Sequence, residues 1–288
     1  MAGMNRWVAG ARVRTLPAAV VPVVVGTAVA SAQGTVIWWR AAAALVVALA
    51  IQVGTNYAND YHDGIRGTDD ARVGPVRLVA GGLATPAAVR RAAVVAFGVA
   101  AVAGLVLAAT VTWWLLVVGA LSFAAGWLYT GGPRPYGYSG FGELFVFLFF
   151  GVVATVGSAY VHLERVTGLA VLASVPVGLL ATGLLVVNNL RDIPTDAVTG
   201  KRTLAVRVGA GRTRALYAAC VLAPLALAAV LAVSRPGALL ALIAVVFTIG
   251  PVRRVLRGDV GRDLVTVLQE TGRLQLVYGV LLAVGIAL

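Results

Sequence analysis

Apolar runs of about 20 residues, long enough to cross the hydrocarbon core of a bilayer as an α-helix, recur from one end of this chain to the other. They are continuous rather than alternating in period two, which reads as helices and argues against a β-barrel. Polar surface is scarce: 12% of the 288 residues are charged and 60% are hydrophobic, with a mean hydropathy of +0.93. A soluble domain of that length needs roughly twice the charged fraction to cover itself. The expected fold class is therefore all-α, a polytopic membrane protein folded as a single domain over 1–288.

Nine hydrophobic helices are expected, at 16–33, 40–58, 88–109, 113–130, 143–161, 167–188, 213–233, 237–252 and 271–288. The eighth is the shortest, bounded by Pro236 and Pro251. Basic residues test the count, because Lys and Arg accumulate in cytoplasmic loops. With the N-terminus inside, all of the 23 Lys and Arg except Arg40, Arg165 and Arg235 fall on the cytoplasmic side. An eight- or ten-helix reading breaks that asymmetry in at least one long basic loop. The formal charge of +12 is thus topological: it comes as short clusters between apolar spans, with no aromatic-interleaved basic patch. Nucleic acid is not an expected partner; membrane lipid is. Cys220 is the only cysteine, so neither an intrachain disulfide nor a cysteine-based metal site can form.

The acidic residues are asymmetric as well, all but Glu164 lying on the cytoplasmic side, and positive-inside does not account for that. Asp60, Asp63, Asp69 and Asp70 follow the second span in NYANDYHDGIRGTDD, and Asp192 and Asp196 follow the sixth in NNLRDIPTDAVTGKRTLAVR. The two segments form a weak internal repeat, with halves of about 1–140 and 141–288. Asn188, Asp192 and Asp196 are spaced i, i+4, i+8 and share one helical face. In the first segment two registers compete, Asn56 with Asp60 and Asn59 with Asp63. Pro194, between the two aspartates of the second segment, is expected to loosen the helix there. Asp69, Asp70, Asp259 and Asp263 read more simply as solvated loop residues. Asp60, Asp63, Asp192 and Asp196 adjoin apolar helix ends, where ionisable groups are costly and usually functional.

Carboxylates crowded on one face repel, and a divalent cation is one way to offset the repulsion. Two clusters facing each other from two helix ends make a hard-oxygen site suited to Mg²⁺, which typically takes one or two carboxylates together with substrate phosphates. Arg72, Arg77, Lys201 and Arg202 in the adjoining loops are candidate partners for phosphate oxygens. No GxxxxGK[ST] loop is present, so a diphosphate carried on a lipid tail fits better than a soluble nucleotide.

NYANDYHDGIRGTD, LYTGGPRPYGYSGFGE and NNLRDIPTDAVTGKRTLAVRVG stand in that order. On these three motifs the chain resembles the UbiA superfamily of intramembrane aromatic prenyltransferases over essentially its whole length. Within it, the motifs look most like the 1,4-dihydroxy-2-naphthoate polyprenyltransferases of menaquinone synthesis. The resemblance implies nine helices around a central lipid-facing cavity, in a bacterial plasma membrane, with the N-terminus and the active-site loops cytoplasmic. It implies Mg²⁺ held by Asp60, Asp63, Asp192 and Asp196, clamping a polyprenyl diphosphate whose allylic cation alkylates 1,4-dihydroxy-2-naphthoate with loss of carbon dioxide. Asn56, Asn59 and Asn188 would orient metal-bound water or phosphate, and Lys201 would hold the leaving diphosphate. Tyr129, Arg134, Tyr136 and Tyr138 lie in the loop near the acceptor. Arg134 either pairs with the naphthoate carboxylate or only sets topology, and Glu143 either caps the fifth helix or binds Arg134. One departure concerns the first motif, often NDxxDxxxD in this superfamily: Gly67 takes the place of the last aspartate, with Asp69 two positions on. The alternatives are a related enzyme with another aromatic acceptor, such as 4-hydroxybenzoate, and, from a different class, a secondary transporter. The transporter predicts acidic residues and broken helices near the midplane.

Overall fold

The computed structural model describes residues 5–69, 74 and 77–288, and it is helical. In chain order the helices are α1 (Arg6–Ala11), α2 (Pro17–Ser31), α3 (Trp38–Ile65), α4 (Pro86–Thr110), α5 (Trp114–Leu128), α6 (Gly142–Leu163), α7 (Gly168–Val198), α8 (Leu204–Ala232), α9 (Pro236–Arg257) and α10 (Asp263–Ala287). Among the described residues six of these are long and apolar enough to cross a membrane, and seven if the bent pair Arg6–Thr15 and Pro17–Ser31 is one span. α5 is apolar but only 15 residues long. α10 is long enough, yet Glu270, Arg273 and Gln275 make its first half polar.

Local sequence explains several starts. Thr85, Thr167 and Thr203 each precede a helix and accept, through the side-chain hydroxyl, the N–H of the residue three further on, at 3.3, 3.2 and 3.4 Å. Pro86 at the first position of α4 has no N–H to leave unsatisfied.

The ends differ from the hydropathy reading in an informative way. α3 runs on to Ile65 and α7 to Val198, so both aspartate pairs sit inside the last turns of helices that extend beyond the apolar spans. Pro194 does not end α7. α8 begins at Leu204, with a break at Gly209 (φ 79°, ψ 165°), a conformation that glycine adopts readily. The first ten residues of α9 form a tight 3₁₀ helix, Pro236–Val245. Within α6, Phe147–Val153 widens into a π-helix.

A large core joins Val21, Val25 and Val29 of α2 to Leu180 and Val187 of α7, Tyr217 of α8 and Leu274, Tyr278 and Leu282 of α10. A smaller one joins Tyr57 and Ala58 of α3 to Val89 and Ala93 of α4 across Leu78. Small residues let the helices close up, since a Cβ on Gly151 of α6 would run into the backbone of Gly178 in α7. Outside the cores the surface is apolar, with Val94, Val95, Val99 and Val102 of α4 exposed. Trp38 and Trp114, 76% and 74% exposed at the starts of α3 and α5, sit where an aromatic belt meets a membrane interface. The chain is a multi-pass membrane protein, and the aspartates of α3 lie at the opposite end of that helix from Trp38.

Candidate active site

The last turns of α3 present polar side chains that do different work. Asp60 is 1% exposed, and its two oxygens accept the backbone N–H groups of Leu78 (2.9 Å) and Val79 (3.0 Å). It anchors the turn that carries Leu78 into the smaller core. One turn earlier, Asn56 donates to Ala11 O (2.9 Å) and Thr15 Oγ1 (3.1 Å), and Gln52 also donates to Thr15 Oγ1 (2.9 Å). These bonds fix the N-terminal segment, where Arg12 holds a left-handed backbone (φ 52°), against α3. Asn59 Oδ1 accepts from Thr130 Oγ1 at 3.0 Å. Asp60, expected as a metal ligand, and Asn56, expected to orient water or phosphate, thus hold neighbouring segments and also line the cavity described below.

Asp63 is the residue where three distant segments meet. Its Oδ1 accepts from the Tyr138 hydroxyl at 2.6 Å and its Oδ2 from Lys201 Nζ at 3.2 Å, while Lys201 Nζ lies 4.8 Å from the centre of the Tyr138 ring. Burial, with the Asp63 charge beside it, pushes the Tyr138 phenol above its ordinary pKa, so it keeps its proton and stays a donor. Facing it on α7, Arg191 makes a bidentate pair with Asp192, Nε to Oδ1 and Nη2 to Oδ2, both at 2.7 Å. The same Nη2 also donates to Asn188 Oδ1 at 2.9 Å. Asp196 follows one turn on and is buried, and its carbonyl accepts the N–H of Lys201 at 2.9 Å.

The other expected residues divide. Arg77 Nε lies 3.1 Å from Asp69 Oδ2, and Asp69 is buried, so it is not the solvated loop residue expected of it. Arg72 and Asp70 lie outside the described residues. Tyr129 and Tyr136 pack edge to face (5.5 Å), and Tyr136 stacks on Phe145 (4.1 Å), which stacks on Phe149 (6.0 Å). Burial raises the pKa of both phenols. Arg134 is exposed and does not line the cavity, so the structure does not bring it to the site. Nor does Glu143 cap α6 or bind Arg134; it accepts from Asn189 Nδ2 at 2.9 Å. Arg134→Ala is accordingly expected to change turnover by less than about 3-fold, as surface substitutions do, in a steady-state assay of the purified protein.

Apart from Asp69, Arg134 and Glu143, the expected residues described above line one cavity of about 1260 Å³. Asn59, Asp63, Asn188, Asp192, Asp196 and Lys201 line its polar end, with Arg77 and Arg191, and apolar residues of α3 to α6 such as Ile51, Leu107, Phe123 and Phe150 line the remainder. Two arginines, Arg191 lining the cavity and Arg66 beside it, were not singled out by sequence. Arg191 reads there as one more topological charge. So does Arg66, which donates to Thr130 O and to Gly132 O, clamping the loop between α5 and α6.

A largely apolar chamber with carboxylates and cations at one end has the shape and polarity to take an amphiphile with a charged head. The model of the UbiA prenyltransferase family matches residues 19–268, and the chain belongs to that family. It is 49% identical over 290 residues to the 1,4-dihydroxy-2-naphthoate octaprenyltransferase of Mycobacterium tuberculosis, covering 100% of this chain and 98% of that one. The enzyme of the same description from Escherichia coli is 37% identical over 75% of this chain and 72% of its own length. Among solved structures, a UbiA homolog from Archaeoglobus fulgidus bound to GPP and Mg²⁺ has the same fold, with a TM-score of 0.65 at 14% identity over 96% of this chain and 99% of that one. A digeranylgeranylglyceryl phosphate synthase gives a TM-score of 0.66, also at 14% identity, over 98% and 97%.

Proposed function

We propose that this chain transfers a polyprenyl group from polyprenyl diphosphate to 1,4-dihydroxy-2-naphthoate, releasing diphosphate and carbon dioxide. The product is the reduced form of a demethylmenaquinone. The observation that carries this reading is the convergence of Asp63 from one aspartate motif with Asp192 and Asp196 from the other at the polar end of a single apolar cavity. The full-length likeness to naphthoate octaprenyltransferases supports the choice of acceptor. Nine membrane crossings in a bacterial plasma membrane, with the N-terminus and the polar end of the cavity cytoplasmic, complete the proposal. The distribution of arginines supports that orientation.

The donor set fits Mg²⁺. It consists of carboxylate and amide oxygens, the ligands that hard cations take. Among the described residues no three acidic, histidine or cysteine side chains form a ready cage. Mg²⁺ commonly completes its shell with water and substrate phosphates. Asp63, Asp192 and Asp196, with Asn188, would hold it; Asp60, whose oxygens also accept two backbone N–H groups, lines the same cavity. When bound, the metal neutralises the diphosphate and so makes it a better leaving group.

The remaining work falls to the chain itself. Lys201 and Arg191, already at the polar end, donate to the oxygens of the departing diphosphate. Tyr138 orients Asp63 through its 2.6 Å hydrogen bond. As the allylic carbon–oxygen bond breaks, the apolar walls keep water away from the cation, and the faces of Tyr136, Phe145 and Phe149 offer it negative electrostatic potential. The ring carbon bearing the carboxylate donates its electron pair to the prenyl carbon. Carbon dioxide then departs, and the pair from its bond restores the aromatic ring.

Purified protein in detergent, given Mg²⁺, a polyprenyl diphosphate and the naphthoate, should yield a prenylated, decarboxylated naphthalenediol by mass spectrometry. EDTA should abolish the product. Turnover with 4-hydroxybenzoate alone would overturn the acceptor assignment, and no turnover with any acceptor would overturn the reading.

A further inference from the structure

Glu143 stands apart from both aspartate motifs, in the first turn of α6, and is only 6% exposed. Its Oε1 accepts from Asn189 Nδ2 at 2.9 Å, and among the described residues its Oε2 is buried without a hydrogen-bond partner. A buried carboxyl is costly without partners, and among the described residues Asn189 is the side chain that bonds it. A carboxylate oxygen can only accept, which obliges the Asn189 amide to turn its nitrogen toward Glu143. The amide oxygen, Oδ1, is thereby directed the other way. Asn189 lines the cavity.

The surroundings suit a flat, hydroxylated ring. Tyr136, Phe145 and Phe149 form a stacked aromatic wall. The π-helix after Phe145 lets Phe149 and Phe150, adjacent in sequence, both line the cavity, and such insertions are frequent at functional sites. Tyr129 belongs to the same corner, since a Cβ on Gly142 would lie 3.6 Å from its hydroxyl oxygen.

We infer that Glu143 is a positioning residue for the aromatic acceptor. By holding Asn189 Nδ2, it aims Asn189 Oδ1 at a ring hydroxyl, which donates to it and fixes the ring against the aromatic wall. The inference rests on the proposed prenyl transfer and deepens it by giving one acceptor hydroxyl a named partner. Glu143 itself touches no reactant.

The test separates the two Michaelis constants. In the purified protein with Mg²⁺, Glu143→Leu and Asn189→Ala should each raise KM for the naphthoate about 10-fold, the worth of one hydrogen bond. KM for the prenyl diphosphate should stay within about 2-fold of wild type. Glu143→Gln, whose side-chain oxygen still accepts from Asn189, should restore the acceptor KM to within about 3-fold of wild type. Neither expected shift follows from simple loosening of the helix pair, which would move both constants together. Equal changes in the two constants would overturn the inference, as would Glu143→Gln behaving like Glu143→Leu. If Glu143→Leu fails to fold, Asn189→Ala still decides, because an unchanged acceptor KM there overturns the proposal. A wild-type protein inactive with every acceptor would instead overturn the prenyl-transfer reading beneath it.

Discussion

Asp63→Asn is expected to lower kcat/KM for prenyl transfer by about 10²- to 10³-fold, the usual loss when one preorganised electrostatic group is removed from a reaction centre, while the protein stays folded. The substitution keeps the shape and leaves an oxygen to accept from Tyr138, so the local hydrogen bond to the loop survives. What it removes is the charge that faces Lys201 at 3.2 Å and contributes to the proposed metal site. Steady-state kinetics together with thermal unfolding of the same preparation check both halves. Near-wild-type turnover in a folded Asp63→Asn protein would contradict the assignment.

Asp60, three residues earlier, should behave in the opposite way. Asp60→Ala strands two backbone amides, those of Leu78 and Val79, at a position 1% exposed to solvent. Leaving a buried donor unpaired costs about 1–3 kcal/mol, so a combined loss of about 3–5 kcal/mol is expected. The Leu78 turn and its packing against Tyr57, Val89 and Ala93 would loosen first. Turnover per folded molecule should remain within a few fold of wild type. Denaturation by detergent or heat, followed alongside activity, distinguishes the cases. A stable but inactive Asp60→Ala protein would mean that Asp60 serves the chemistry after all.

These two aspartates mark how far the residues alone could carry the reading. Ionisable groups at apolar helix ends are conspicuous, and the i, i+4 spacing of Asn188, Asp192 and Asp196 already put them on one face. The bonding of Asp60 to backbone amides was hidden, because it depends on the turn at Leu78 folding back beneath α3. Helix ends were misjudged for a related reason. Hydropathy falls after residues 58 and 188, but backbone hydrogen bonding sustains a helix, and the polar extensions line a cavity instead of facing lipid.

Arginines were the least legible. Arg134 and Arg191 both stand beside apolar spans and read alike as topological charges, with only Arg134 offered as a carboxylate partner. In the folded chain Arg134 is exposed, whereas Arg191 is buried in a bidentate pair with Asp192. Glu143 and Asn189 are 46 residues apart, and no spacing rule could have paired them. The aromatic wall was legible only as individual tyrosines, since its stacking depends on the register of α6.

The central claim is that the two aspartate motifs together bind a lipid diphosphate through Mg²⁺, and one binding measurement tests it most directly. A prenyl thiolodiphosphate, which keeps the charged head but resists ionisation, is titrated into the purified protein with Mg²⁺ and again with EDTA. The account predicts saturable binding that requires Mg²⁺ and is weakened at least about 10-fold, or 1.4 kcal/mol, in Asp63→Asn and in Asp192→Asn alike. Binding that is indifferent to EDTA and to both substitutions would contradict it.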